Sequence, residues 1–348
     1  MLEGMIQGTF RMPAEWEPQE AVWLSWPHNK ITWGDDVDAI EGIYAKFSHA
    51  LAPGQTVNIL VADEEREQRA RAALGNNGAL SPKIRLLRIV NQDGWIRDYG
   101  PTFVIDNVRR DVAMIKWTFN AWGNKYPDLL PDNAVPYAMQ EYLKTRLHEP
   151  GIVLEGGSIE VNGSGTLLTS EQCLLNPNRN PSLDRAALEN LLSLYLGTPR
   201  VLWLKDGIVG DDTDGHIDDL ARFVNETTVV CAYEEDHNDV NYPMLRENFE
   251  LLSQMRTVKG QQLGVVKLPM PAAVMDGEKR LPASYANFYI GNAAVVVPLF
   301  GCDNDRRALD ILRPYFPDRQ IVGIDCTRMV YGFGTLHCGS QQQPKAAK

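Results

Sequence analysis

"ARFVNETTVVCAY", residues 221–233, is the stretch that decides the fold. β-Branched and aromatic residues fill both flanks, and Asn225-Glu226 between them supplies the polar turn of a hairpin. The same grammar recurs: "TFVI" and "VAMIKWTF" flank Asp106-Asn107, "SIEV" and "TLLT" flank the "NGSG" that begins at Asn162, and "NFYI" and "AAVVVPLF" flank Gly291-Asn292. The turn residues Asn107, Asn162, Asn225 and Gly291 stand at intervals of roughly 60 residues, a near-period that implies a repeated unit despite negligible identity between copies.

Working outward, each hairpin is followed by a helical pattern: residues 132–147, 182–196 with Ser182 as N-cap and Gly197 just past the end, 241–256, and 304–313 ahead of Pro314. A further strand comes next: "GIVLE" at 151–155, "RVLWL" at 200–204, "GVVKL" at 264–268 and "QIVGI" at 320–324. A fifth unit is expected to join the segment after residue 320 to the N-terminal "EAVWLSW" and to the "VNILVA" strand and "EEREQRARAAL" helix. No linker interrupts the pattern, so residues 1–348 read as one α/β domain. If the units share a geometry, the polar segments just upstream of the hairpins gather at one end of a closed rosette. These are 93–101, 154–158, 212–219 and 282–287, joined by "GTLHCGSQQQ" at 334–343.

With 348 residues, 44% of them hydrophobic, the chain can bury a sizeable core. A formal charge of -11 repels phosphate backbones and anionic lipid, which argues against nucleic acid and membrane partners. The N-terminus shows no basic and apolar leader pattern, and no apolar run approaches the roughly 18 residues of a membrane span, so a cytoplasmic enzyme is expected. The five cysteines, 173, 231, 302, 326 and 338, form no CxxC pair and are odd in number, as befits reduced thiols. No P-loop, dinucleotide turn or GxSxG elbow is present, so no cofactor is expected; self-association into a homo-oligomer stays open.

"GDDTDGHIDD" at 210–219 surrounds His216 with five aspartates, for which a solvated acidic turn, a metal and a cationic substrate are the readings. An EF-hand fails: Gly215 in the sixth place puts Gly210 first and Ala221 twelfth. No HExxH and no second nearby histidine supports a transition metal, so no metal site is expected. Asp98, in "WIRDYGP", either pairs with Arg97, caps the turn at Gly100-Pro101 or serves a site, and Trp95 beside it either joins the core or packs on a ligand. Glu155 ends a strand ahead of Gly156-Gly157, where backbone can approach closely. Cys338 lies in a glycine-spaced loop, and its thiol needs a positive neighbour to become a nucleophile. In so acidic a chain, an incoming cation can be that neighbour.

Eight words in order, "MPAEWEPQEAVWLSWP", "WIRDYGPTFV", "FNAWG", "LEGGSIEVNG", "LLNPNRNP", "GHIDDLARF", "ASYANFYI" and "HCGSQQQP", spread the resemblance over residues 12–344. Together they resemble the agmatine deiminase family, also called the Porphyromonas-type peptidylarginine deiminases. The resemblance implies a pentein, a five-bladed α/β propeller around a central polar site, and guanidine hydrolysis without metal or cofactor on a small cationic substrate. Carried over by motif, it implies Cys338 as nucleophile, His216 as general acid/base and Asp98 and Asp218 as the carboxylates on the guanidinium. Glu155 resembles the histidine-supporting glutamate, which with its neighbours would hold His216 cationic; Trp95 resembles the substrate-packing tryptophan, and Asn287 is a further polar contact. "DDTDGH" stands where "DETNGH" is common in the family, and "YGFGTLHCGS" replaces a triple-glycine form. Free agmatine is the expected substrate, with peptidyl or free arginine as the alternative. A polyamine-binding protein and a Cys–His amidase acting on neutral amides are the readings from other classes.

Overall fold

In a computed structural model, which describes residues 10–346, the strands fall into five sheets of three or four strands and one separate two-stranded ribbon. The reading of the N-terminal segment thus lies partly outside the described residues. All four expected hairpins are antiparallel pairs: Thr102–Asp106 with Asp111–Ile115, Glu160–Val161 with Thr166–Ser170, Ala221–Asn225 with Thr228–Tyr233, and Tyr289–Ile290 with Ala294–Leu299. The second strand of each takes a parallel neighbour: Arg146–His148, Arg200–Leu204, Gly264–Pro269 and Gln320–Asp325, respectively. A parallel partner demands a crossover, which the helices Val135–Leu143, Arg185–Leu196, Tyr242–Gln254 and Asn304–Leu312 supply.

The fifth sheet joins the two ends of the chain. Ser340–Pro344 runs antiparallel to Gln19–Ser25, which pairs in parallel with Thr56–Val61, itself parallel to Ile84–Arg88. Helix Val37–Leu51 covers this sheet because Ile40, Ile43, Tyr44, Phe47 and Leu51 fall on one helical face, and all are buried. Each such large apolar side chain contributes about 1.5–3 kcal/mol by leaving water.

Three local expectations are corrected. The helix anticipated over 132–147 stops at Leu143, where Lys144 adopts a left-handed φ of 53°, and Arg146 then anchors a strand through ion pairs to Asp106 (2.9 Å) and Asp111 (2.5 Å). That strand takes the place expected for "GIVLE", of which only Val153 makes a bridge, to Thr118. The helix expected from Ser182 is instead capped by Asp184, whose carboxylate accepts from Ala187 N at 2.8 Å and favours the positive end of the helix dipole. Its other end is as anticipated: Gly197 is left-handed, and a Cβ there would strike the Phe10 carbonyl.

The shared order has one consequence for function. Every hairpin or equivalent strand is entered from a short polar segment: helix Ile96–Tyr99, the turns Gly156–Ser158 and Ile217–Asp219, residues 284–287 and residues 336–339. No described helix is long and apolar enough to cross a membrane.

Candidate active site

These five segments bring together side chains remote in sequence. Cys338 Sγ accepts from Asn287 Nδ2 at 3.0 Å and stands 3.7 Å from Asp218 Oδ2. His216 Nδ1 is 3.7 Å from Asp98 Oδ1. Gly157 sits among them: a Cβ there would lie 2.5 Å from His216 Nδ1, 2.9 Å from Asp98 Oδ1 and 3.1 Å from Asp218 Oδ2. Alanine at this position must push apart three buried side chains, a strain of about 1–3 kcal/mol. Gly157→Ala is therefore expected to lower Tm by several degrees and kcat/KM by more than tenfold, read by calorimetry and steady-state kinetics.

Asp98 does not pair with Arg97, and the two are used separately. Asp98 Oδ2 accepts from Trp122 Nε1 and Oδ1 from Gly157 N, both at 2.9 Å. Trp122 is presented by "FNAWG" with Ala121 and Trp122 both at a left-handed φ of 53°, a conformation that costs on the order of 1–3 kcal/mol per residue. Asn120 holds the loop in place, accepting from Gly123 N at 2.8 Å and donating to Asn178 O at 2.9 Å.

The acidic decapeptide is not a solvated turn, since His216, Asp218 and Asp219 are buried. Asp211 accepts from the amides of Thr213, Gly215 and His216 at 2.8, 2.9 and 3.1 Å and so shapes the loop. Asp212 meets the Tyr126 hydroxyl, and Asp214 pairs with Lys125 and Arg179, both at 2.7 Å. Asp218 Oδ2 faces His337 Nδ1 at 2.7 Å, and Asp219 Oδ1 accepts from Asn287 Nδ2 at 3.0 Å.

Crowding these carboxylates out of water perturbs their titration. Burial, then the charges of Asp218 and Glu155, push Asp98 well up. Burial and Asp218 do the same to Asp219. Burial opposes ionisation of Asp218 too, but the hydrogen bond and charge of His337, with Arg222 behind it, outweigh burial and hold Asp218 below the usual range. The Cys338 thiol is pushed well up by burial and then by Asp218, Asp219 and Asp98. For His216, burial outweighs the pull of Asp218 and lowers its pKa to about 3, so the ring is neutral at rest and the cationic form expected at proton transfer has to arise during the reaction. The support expected from Glu155 is not a direct one. Its Oε1 accepts from Arg179 Nε at 2.7 Å, and although it comes within 4.8 Å of His216, no hydrogen bond joins them.

Four buried atoms in this cluster have no hydrogen-bond partner: both ring nitrogens of His216, Asp218 Oδ1 and Glu155 Oε2. Each such group costs about 1–3 kcal/mol, so the cluster is built to meet a ligand rich in donors. A cavity of about 240 Å³ leads to it, lined by Trp95, Trp122, Tyr126, Asp212, Asp98 and Cys338 among others. Trp95 packs on Trp33 with ring centroids 5.2 Å apart. Asn287, anticipated as a substrate contact, addresses the sulfur instead. Among the described residues, two donor triplets are close enough for a metal, Glu155–Cys173–His216 and Asp218–Asp219–Cys338. Their chemistry suits one poorly, because Arg179 already places a cation on Glu155 and His337 occupies Asp218 Oδ2.

Sequence reasoning brought Cys338, His216, Asp98, Asp218, Glu155, Trp95 and Asn287 to one region, and missed Trp122, Asp219, Arg179, His337 and Glu15. Each missed residue stood inside a family word ("FNAWG", "GHIDDLARF", "LLNPNRNP", "HCGSQQQP", "MPAEWEPQEAVWLSWP"), which was the available signal.

The profile of the Porphyromonas-type peptidyl-arginine deiminases matches residues 11–344. An agmatine deiminase of Stutzerimonas stutzeri is 37% identical over 361 residues, covering 97% of this chain and 96% of the relative. Among solved structures, the agmatine deiminase of Enterococcus faecalis superposes with a TM-score of 0.90 at 36% identity, over 97% of each chain. A Cys-to-Ser variant of C. jejuni agmatine deiminase with substrate bound gives 0.88 at 32% identity, again over 97% of each. With likeness running through nearly the whole sequence and fold, this chain belongs to the Porphyromonas-type peptidyl-arginine deiminase family.

Proposed function

We propose that this protein is a cysteine hydrolase of guanidinium compounds that converts agmatine and water to N-carbamoylputrescine and ammonia. The observation that carries the reading is the meeting of a thiol, an unpartnered imidazole and two carboxylates at one end of a cavity. A guanidinium is planar and permanently charged, and its forked N–H groups match such acceptors. Asp98 and Asp218 grip it; at an effective dielectric of ~20, each contact at about 4 Å is worth roughly 4 kcal/mol before desolvation.

The protonation states assign the order of events. With thiol and imidazole both neutral at rest, the arriving cation supplies the positive field that lets the Cys338 proton pass to His216. The thiolate, steadied by the Asn287 amide, attacks the guanidinium carbon. His216 then gives its proton to the departing nitrogen, the C–N bond breaks, ammonia leaves, and an S-linked thiouronium remains. Water, deprotonated by the same ring, adds to that carbon; the C–S bond breaks and the ureido product is released. Glu155 lies beside the ring when it is charged, and Trp95 packs the substrate against the cavity wall.

Agmatine is favoured over arginine by the cavity's charge. Asp93, Asp128 and Asp212 line it, and the one cationic lining residue among the described residues, Lys125, is already paired with Asp214. A second ammonium is welcome there, whereas an α-carboxylate is repelled. Comparing kcat/KM for agmatine, arginine and a C-terminal arginine peptide should give agmatine an advantage of at least ~100-fold. Parity, or preference for the peptide, would reverse the substrate assignment. Prolonged treatment with EDTA is expected to leave turnover unchanged; loss restored by zinc would point to a metal after all. The proposal includes one domain over residues 1–348, its five units ringing the site, in a cytoplasmic enzyme whose cysteines stay reduced.

A further inference from the structure

We propose that His337, clamped between Asp218 and Glu15, is a positioning residue: it holds a proton on each ring nitrogen and fixes one oxygen of Asp218 so that the other faces the substrate. The inference rests on the reading of Asp218 as a guanidinium carboxylate.

The geometry is specific. His337 Nδ1 lies 2.7 Å from Asp218 Oδ2, and Nε2 lies 2.8 Å from Glu15 Oε2. A neutral imidazole has one N–H and cannot donate on both sides; two carboxylate acceptors are both answered only by the imidazolium. Glu15 cannot take up the difference as a protonated acid, because its oxygens already receive Ile290 N at 2.7 Å, Arg222 at 3.0 Å and Arg97 at 3.4 Å. Burial opposes its ionisation, but Arg222, His337 and Arg97 outweigh burial and keep it charged. Arg222 is itself tied to Glu160 at 2.9 Å and to the Phe288 carbonyl at 2.5 Å, so the array beneath Asp218 is anchored on several strands.

This explains sequence words that the reaction alone leaves idle. Glu15 comes from "MPAEWEP", Arg97 from "WIRDYGP", Arg222 from "LARF" and His337 from "HCGS", and all are almost wholly buried. Arg97, Arg222 and His337 bring positive charge beneath Asp218, and Glu15 ties the three together. Around Asp218, His337 and Arg222 favour the anion, while Asp98, Asp219 and Cys338 oppose it. Around His337 stand Asp218 and Glu15, with Glu160 behind Arg222. Asp218 Oδ2 is thereby taken, and Oδ1 is the buried atom without a partner.

His337→Gln keeps a donor but removes the charge. Asp218 then loses the clamp that sets its two oxygens, so KM for agmatine at neutral pH should rise about 30-fold with a smaller change in kcat, while the acid limb of kcat/KM, governed by the raised pKa of Asp98, stays in place. A merely structural role would lower kcat through loss of active enzyme while KM stays in place, and that result overturns the proposal. Should the variant fail to fold, neutron diffraction on the wild-type enzyme at neutral pH decides: deuterons on both ring nitrogens are expected, and a single deuteron overturns it. Wild-type enzyme inert toward agmatine would sink the functional reading separately, since the ring's protonation is read without turnover.

Discussion

Ammonia release from agmatine should fall by at least ~10⁴-fold when Cys338 is replaced by alanine, with the fold intact. The other thiol of the cluster, Cys173, lies within 4.8 Å of His216 and Glu155 but is fully buried, does not line the cavity and is pushed well up by burial, whereas Cys338 lines the cavity. The loss should fall on kcat alone. Asp98 and Asp218 remain to bind the cation, so calorimetry on the alanine variant should return a Kd close to that of the wild type, while quenched-flow assays detect no covalent adduct. Turnover within tenfold of wild type would rule out attack by this sulfur. Because burial and three carboxylates hold the Cys338 thiol up, the free enzyme contains little thiolate at neutral pH. A saturating guanidinium ligand that cannot react should therefore raise the ultraviolet thiolate absorbance, in wild type and not in the variant.

The second large effect is expected at Asp98. An asparagine there preserves shape but carries one acceptor oxygen where the carboxylate has two. It can answer Trp122 Nε1–H or Gly157 N–H, not both, and it presents an NH₂ to whichever it fails. It also removes half of the anionic grip on the substrate. Losing a buried charged partner costs about 3–5 kcal/mol, so Asp98→Asn should reduce kcat/KM by roughly 10²–10⁴-fold. The pH profile carries a related sign. Burial and the anions of Asp218 and Glu155 raise the Asp98 pKa, so at low pH the group is protonated and its grip is weak, and kcat/KM in the wild type should climb as pH rises through that value. An unchanged kcat/KM in the asparagine variant would remove Asp98 from the reaction.

How much of this was legible without coordinates depends on the range of the forces involved. The hairpins at Asn107, Asn162, Asn225 and Gly291 were readable because a turn and its two flanks are local chemistry, and three of the four following strands, at 200–204, 264–268 and 320–324, were readable because each apolar run had to be buried, whereas "GIVLE" gave way to Arg146–His148. Lys144 was not readable as a helix terminator, since a lysine in a left-handed conformation carries no compositional mark. The site divides in the same way. Asp98, His216 and Cys338 stood out as polar residues in loops that enter buried strands. Glu15 and His337, whose contact joins positions 322 residues apart, became partners only through the sheet that unites the two chain ends. Among the five aspartates around His216, type and spacing could not say which would shape the loop and which would meet a cation. That sorting was done by backbone amides, Lys125, Arg179 and His337.

Ser340–Pro344 pairs with Gln19–Ser25, and Cys338, the proposed nucleophile, lies two residues before it. In the order of translation Asp98, His216 and Asp218 are therefore made before the sulfur they are proposed to serve. A nascent polypeptide that has not reached Cys338 carries the proposed anionic grip without the proposed nucleophile, so hydrolytic competence is expected to wait for the strand that completes the fifth sheet.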